Sequence, residues 1–173
     1  MKKLTLCTAL VVISLILAAC STPVYTSDTG KFSIAISGGF TEKTQTMDTG
    51  AGKIDQHQFI TSIGKITYMV TYQDYPPDVV AKSSSRLLDI VESDDVTNVS
   101  GILLNAKQIT LGNYSGYEAL IESRDSNDQQ MTTKVHIYLV GSRVYQVLAI
   151  ANTGDADFTN AIDPYLNSFK VLQ

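Results

Sequence analysis

Val144-Tyr145-Gln146-Val147-Leu148-Ala149-Ile150-Ala151 decides the architecture of this chain. Successive side chains of a strand point to opposite faces of its sheet. Here both sets are apolar, with Val144, Leu148 and Ile150 on one face and Tyr145, Val147 and Ala149 on the other. Burying one large aliphatic side chain is worth about 1.5–3 kcal/mol, so neither set can be left in water cheaply. A strand of this kind is central and covered on both sides. Working outward, Ala106 to Leu111, Tyr117 to Glu122 and Met131 to Val140 read as further strands, broken at Gly112-Asn113, at Arg124 to Asp128 and at Gly141-Ser142. Upstream, Phe32 to Ile36 alternates and ends at Gly38-Gly39. Ile54 to Thr61 and Ile66 to Gln73 form a hairpin across Ser62 to Lys65, and Tyr75-Pro76-Pro77-Asp78 stops the sheet.

Two helical patterns supply the covers. Val80, Ser84, Leu87, Leu88 and Val91 recur at helical spacing, with Lys82, Arg86 and Asp89 opposite. Near the end, Phe158, Ile162, Leu166 and Phe169 line one side of a helix that Asp155 can cap. Pro164 is expected to kink or restart it, with Asp163 as a second cap. The predicted fold is α+β, an antiparallel β-sheet flanked by helices in an α/β/α sandwich. The whole chain has 173 residues, the size of one domain; 44% are hydrophobic and 17% charged, the balance of a packed globule. The net charge of −4 argues against a nucleic-acid partner held by a basic surface.

The N-terminus reads as an address. Met1-Lys2-Lys3 precedes an apolar run from Leu4 to Ala18. As a helix this run reaches only about 22 Å, short of the roughly 30 Å hydrocarbon core, and fits a secretory signal better than a permanent span. Leu17-Ala18-Ala19-Cys20 resembles the lipobox of bacterial lipoproteins. That resemblance implies a signal peptide over 1–19, a diacylglycerol on the Cys20 thiol, acylation of its new amino group (palmitate or a similar chain), and anchoring of the exported chain in a lipid bilayer through Cys20. Ser21 in place of Asp implies the outer membrane for a Gram-negative source; for a Gram-positive one the box implies the outer face of the cell membrane. Cleavage removes Lys2 and Lys3 and no acid, so the acyl chains and not a basic patch must hold the domain to the membrane. Cys7 leaves with the signal and Cys20 takes lipid, which leaves no thiol chemistry. Residues 20–30 read as a lipidated polar tether and 31–173 as the globular domain.

Phe32-Ser33-Ile34, Leu111-Gly112-Asn113-Tyr114-Ser115-Gly116-Tyr117-Glu118, Arg143-Val144-Tyr145 and Ser168-Phe169 together resemble the PsbP-like family. The likeness runs from about Thr29 to Leu172 and rests on framework positions. It implies the α/β/α sandwich and a leaning toward binding. PsbP itself is an extrinsic accessory subunit of the oxygen-evolving complex, and other members are non-enzymatic binding or assembly factors. No functional residue of PsbP matches a position here, so no photosynthetic role follows.

Candidates for chemistry are sparse. His57 and Asp55 share a strand face, and His136 shares one with Lys134 and Tyr138; a metal site would need both histidines and a carboxylate together. Ser115 lacks the Gly-x-Ser-x-Gly spacing of a nucleophile elbow, and Ser83-Ser84-Ser85 falls within a helix. Gly50-Ala51-Gly52-Lys53 fails as a phosphate loop, with Met47 where a Gly is needed and Ile54 where Ser or Thr is needed. Asp125-Ser126-Asn127-Asp128 carries calcium-type oxygens without the Gly or terminal Glu, and reads as a turn. Asp94-Asp95 reads as a loop after a helix. Tyr68 and Tyr72 read as core, whereas Tyr114 and Tyr117 flank a turn where they could serve a contact surface. No catalytic residue and no cofactor site is assigned. The expectation is a membrane-anchored binding or assembly factor with a protein partner in the cell envelope. The alternative is a carrier holding a small ligand between helix and sheet, lined by Tyr68 and Phe59. A hydrolase has the least support.

Overall fold

The computed structural model describes residues 22–49 and 52–173, without the side chains of residues 83–87 and 90. Residues 1–19 with Cys7, expected to form the signal, Cys20, expected to carry the lipid, Ser21, and Gly50 and Ala51 lie outside the described residues, as do the side chains of Ser83, Ser84 and Ser85. The chain runs β1 (Val24–Ser27), β2 (Phe32–Ala35), β3 (Thr41–Thr49), β4 (Gly52–Ile63), β5 (Ile66–Asp74), α1 (Pro77–Asn98), β6 (Ile102–Leu111), β7 (Tyr114–Arg124), β8 (Gln130–Val140), β9 (Arg143–Asn152), α2 (Ala156–Asn167) and β10 (Lys170–Val171). Seven strands form one antiparallel sheet in the order β3-β4-β5-β9-β8-β7-β6, and β1-β2-β10 form a small second sheet. The fold is the expected α+β sandwich with a large antiparallel sheet.

β9 is interior, paired with β5 on one side and β8 on the other. Its two faces lead to two cores. Tyr145, Val147, Ala149 and Ala151 pack with Tyr68, Val70 and Tyr72 of β5 beneath Phe158, Ile162, Tyr165 and Leu166 of α2. Phe32 and Ile34 of the small sheet, with Phe169, complete this cover. On the other face Val144 and Leu148 meet Ile121, Val135 and Ile137 beneath Leu88 and Val91 of α1.

Four details depart from the sequence reading. The segment expected to be tether through Gly30 already contains β1, paired residue for residue with β2 from Val24↔Ala35 to Ser27↔Phe32, so the folded part begins earlier. β3 went unpredicted: its residues are almost all exposed, so no period-two apolar signal marks it. Asp94 and Asp95 lie inside α1 and not in a loop. Pro164 sits within a single unbroken α2. Asp155 caps that helix by accepting from the Asp157 amide at 2.9 Å, whereas Asp163 accepts from Lys134 instead of capping.

The framework residues of the resemblance have structural work. Arg143 grips both oxygens of Asp74 at 2.7 Å, lies 4.1 Å over the Tyr72 ring, and donates to the Thr29 and Gly30 carbonyls. Tyr145 donates to the Gly30 carbonyl at 2.7 Å. Together they fasten the β1–β2 loop to the large sheet. Gly116 has no alternative: a Cβ there would run into the Ile137 carbonyl and the Tyr138 ring that lies across it.

Candidate functional site

The aromatic core on the α2 side is flanked by two recesses, a polar one of about 400 Å³ at Glu118 and His136 and one of about 340 Å³ beside Tyr68 and Pro164, whereas a wider opening lies on the α1 side. α1 packs over β7 and β8, and the edge strand β6 projects beyond it. Between the first half of α1 and the β6–β7 hairpin lies a cleft of about 630 Å³, lined by Val80, Leu88, Ile109, Tyr114, Tyr117 and Leu139. Gly112, at a φ of 60°, makes the tight turn that carries Asn113 and the exposed Tyr114 to the rim. At its other end β6 presents Ile102, Leu103 and Leu104 to solvent, with Ile102 69% exposed. An exposed edge strand with apolar side chains invites pairing, and the Ile102–Leu104 end carries no charged residue, Lys107 lying further along the strand. β3, at the opposite edge, is guarded by Glu42, Lys43 and Asp48.

A charged cluster occupies the α2 side of β7 and β8. Glu118 accepts from Lys107 at 2.8 Å and lies 3.5 Å from Lys134, which also reaches Asp163 at 2.6 Å. His136 is buried, with Nε2 2.8 Å from Glu118 and Nδ1 3.0 Å from the Tyr138 hydroxyl. Burial would raise the Glu118 carboxyl, but Lys107, His136 and Lys134 outweigh it and hold the group down at about 2. Burial also lowers His136, so the ring is neutral at pH 7. With the carboxylate accepting from Nε2–H, Nδ1 accepts from Tyr138, and both ring nitrogens are used.

The metal candidates do not converge. His57 stacks on Tyr72 at 4.5 Å with its Nδ1 3.1 Å from the Thr44 hydroxyl, and Asp55 accepts from Thr46 at 2.6 Å. His57 on β4 and His136 on β8 are three strands apart, about 14 Å at the usual strand spacing. No group of three His, Cys, Asp or Glu that could hold a metal occurs among the described residues. Ser115 lines the cleft on the α1 side, across the sheet from His136. Asp125 accepts from the Asn127 and Gln129 amides at 2.9 Å, and Asp128 pairs with Arg124 at 3.0 Å, so both close their own turn.

The residues of the expected ligand site part company. Phe59 packs edge-on to Phe32 at 5.0 Å, whereas Tyr68, edge-on to Tyr165 at 4.8 Å, also lines a recess of about 340 Å³ between α2 and the sheet, with Ile63, Ala161 and Pro164. A larger space between helix and sheet lies on the α1 side. Sequence reasoning also missed Asp95. Its Oδ1 accepts from Gln146 Nε2 at 2.9 Å, Gln146 Oε1 accepts from Thr71 at 2.8 Å, and Asp95 Oδ2 is buried with no hydrogen-bond partner. The signal was available, since Leu88, Val91 and Asp95 follow one another at helical spacing and place an acid on the apolar stripe.

No family model matches the chain, and no curated protein sequence matches it. Among solved structures, it is similar to CyanoP, the cyanobacterial PsbP of Synechocystis sp. PCC 6803, with a TM-score of 0.57 at 12% identity over 90% of this chain and 95% of that one. A protein from Bacteroides thetaiotaomicron VPI-5482 is also similar, with a TM-score of 0.51 at 9% identity over 87% of this chain; the match spans about half, 48%, of that longer chain. The fold is PsbP-like. At these identities the likeness carries the fold alone. No helix among the described residues is long and apolar enough to cross a membrane.

Proposed function

We propose that this chain is an exported lipoprotein, held to a bilayer by acylated Cys20, that acts as a non-catalytic binding or assembly factor for a protein of the cell envelope. One observation carries the binding half of this reading. The β6 margin combines an apolar, unpaired strand edge at Ile102–Leu104 with an open, tyrosine-rimmed cleft at its other end. An extended partner segment could add to the edge through main-chain hydrogen bonds while its side chains enter the cleft. The sequence pattern of residues 1–20 supports the anchor, and a PsbP-like fold is compatible with an accessory role. By the same sorting analogy the destination is the outer membrane in a Gram-negative source and the outer face of the cell membrane in a Gram-positive one.

Metabolic labelling with a palmitate analogue tests the anchor: the native chain should label and Cys20→Ser should not. Crosslinking in intact cells tests the binding. The native chain should capture an envelope protein, and Leu103→Lys with Tyr114→Ser should lose it; capture unchanged by both substitutions contradicts the reading. The carrier reading gains from the cleft volume, which lies in the range of small-molecule sites. Mass spectrometry of the purified chain separates the two, because a carrier retains a stoichiometric small molecule and a docking module does not.

A further inference from the structure

We propose that a second, smaller cavity, beneath the last turns of α1, binds a small primary ammonium ion with a short aliphatic chain, its N–H group donating to Asp95 Oδ2. The cavity holds about 180 Å³ and is separate from the tyrosine-rimmed cleft. Met69, Ile121, Val135, Leu148 and Ile150 give it apolar walls. Its polar groups are fewer and incompletely used. Gln146 is committed at both ends, to Thr71 and to Asp95 Oδ1, whereas Asp95 Oδ2 and Thr133 Oγ1 are buried without partners.

The side chain of Asp95 reaches inward from the last turn of the helix, so its oxygen is sealed while the residue keeps some outer exposure. A buried carboxylate oxygen without a donor costs several kcal/mol unless something neutralises it. No Lys, Arg or His lines the cavity among the described residues, and the last turn of α1 carries no basic residue. The Asp95, Val96 and Thr97 carbonyls of that turn accept from the Val99, Gly101 and Ser100 amides, and the turn remains the negative end of the helix dipole, which favours a cation. Asp94 and Glu92 on the same helix add negative field, and Tyr75 beside them is neutral. Burial, only partly offset by Gln146, pushes the Asp95 carboxyl up to about 7, so in the empty site a proton serves as the counter-charge near neutrality. A cation brought by a ligand would replace it.

Ligand chemistry follows from the walls. Asp95 is the single carboxylate, and of the three amides lining the cavity Gln146 and Gln56 already accept from Thr71 and Gln58, which leaves too few free oxygens for the roughly six or more that calcium or magnesium takes. The volume, about six waters at roughly 30 Å³ each, admits an amine of about four carbons and nothing drug-sized. The apolar walls accept the chain while the N–H answers the oxygen. This site does not depend on the lipid anchor or on the docking margin.

The test uses the full chain in detergent, titrated at pH 8 with n-butylammonium and with 1-butanol, its neutral counterpart, and followed by calorimetry and by the Gln146 side-chain amide resonances. The expected result is butylammonium binding at least about 10-fold tighter than butanol, the scale of one charge-assisted hydrogen bond. Gln146 should shift, binding should weaken at pH 5.5, and Asp95→Asn should erase the preference. Equal binding of the two ligands, no binding of either (a cavity holding water only), or a preference that survives Asp95→Asn would each overturn the proposal. The ligand comparison needs no variant, so it stands whatever Asp95→Asn does to folding.

Discussion

The two faces of the seven-stranded sheet are covered by one helix each, yet they are built to different standards. Against α2 lies an aromatic layer in which Phe32, Phe59, Tyr72, Tyr138, Tyr145 and Phe169 contact one another and the small sheet closes the rest. Against α1 lies a smaller aliphatic layer. Among the described residues, the side-chain polar atoms that are buried without partners, on Gln73, Asp95 and Thr133, sit on this side, as do the open cleft and the smaller cavity. The α2 side therefore carries the larger, aromatic core, and the α1 side the wider cleft and the buried polar atoms without partners on which the proposed binding role rests.

The strongest way to break this contrast is to remove a cover. Truncation after Asp155 deletes α2, Phe169 and β10 and exposes the aromatic layer; thermal denaturation and light scattering should report an unfolded or aggregating chain. A truncated chain that stays monomeric with an unchanged Tm would refute the two-sided sandwich. Leu148→Asp should come next, because it places a second carboxylate beside Asp95 in the α1-side core and loses apolar packing as well. Phe169→Ala should cost about 3–5 kcal/mol, and Leu88→Ala, at the margin of an existing cleft, nearer the low end of the roughly 2–5 kcal/mol range for its type. Denaturant titration compares the two directly. Equal losses would remove the asymmetry.

The pH dependence sharpens the same comparison, since the two faces carry carboxyl groups shifted in opposite directions. Asp95, raised from 3.8 to about 7, contributes stability that is complete below about pH 4 and is lost as pH rises toward 7. Glu118, lowered to about 2, contributes stability that is present above its ordinary 4.5 and lost as pH falls through 2. Asp95→Asn should flatten the decline between pH 4 and 7, and Glu118→Gln the loss at the acid end. Urea midpoints across pH 2–8 distinguish them. The smallest effect is Lys134→Ala, which gives up two partly exposed ion pairs worth roughly 0.5–1 kcal/mol together.

What was legible in the sequence followed burial. Val144 to Ala151 declared an interior strand because both of its faces are apolar, and Leu88 with Val91 declared the inner face of α1. β3 could not be read: Thr-Glu-Lys-Thr-Gln-Thr-Met-Asp-Thr has no buried face, and only the register of β4, from Thr41↔Ile60 to Thr49↔Gly52, makes it a strand. Two-residue β10 is held by tertiary position alone. Of the two aromatics expected to line a ligand space between helix and sheet, Tyr68 does line a recess under α2 while Phe59 packs against Phe32, and the wider cleft opens against α1, because aromatic content does not tell filling from lining. Which face a strand residue takes is shared across a sheet, and pairing order, absent from one strand's pattern, decides which helix that face meets.

The claim that the α1 side is the binding side is tested most directly by crosslinking in living cells from each face in turn. A photoreactive residue replaces Tyr114 at the cleft rim in one strain and Thr159 on the exposed face of α2 in another. The account predicts a discrete envelope-protein adduct from position 114 and none from position 159. Adducts of the same partner from both positions, or from 159 alone, would contradict it.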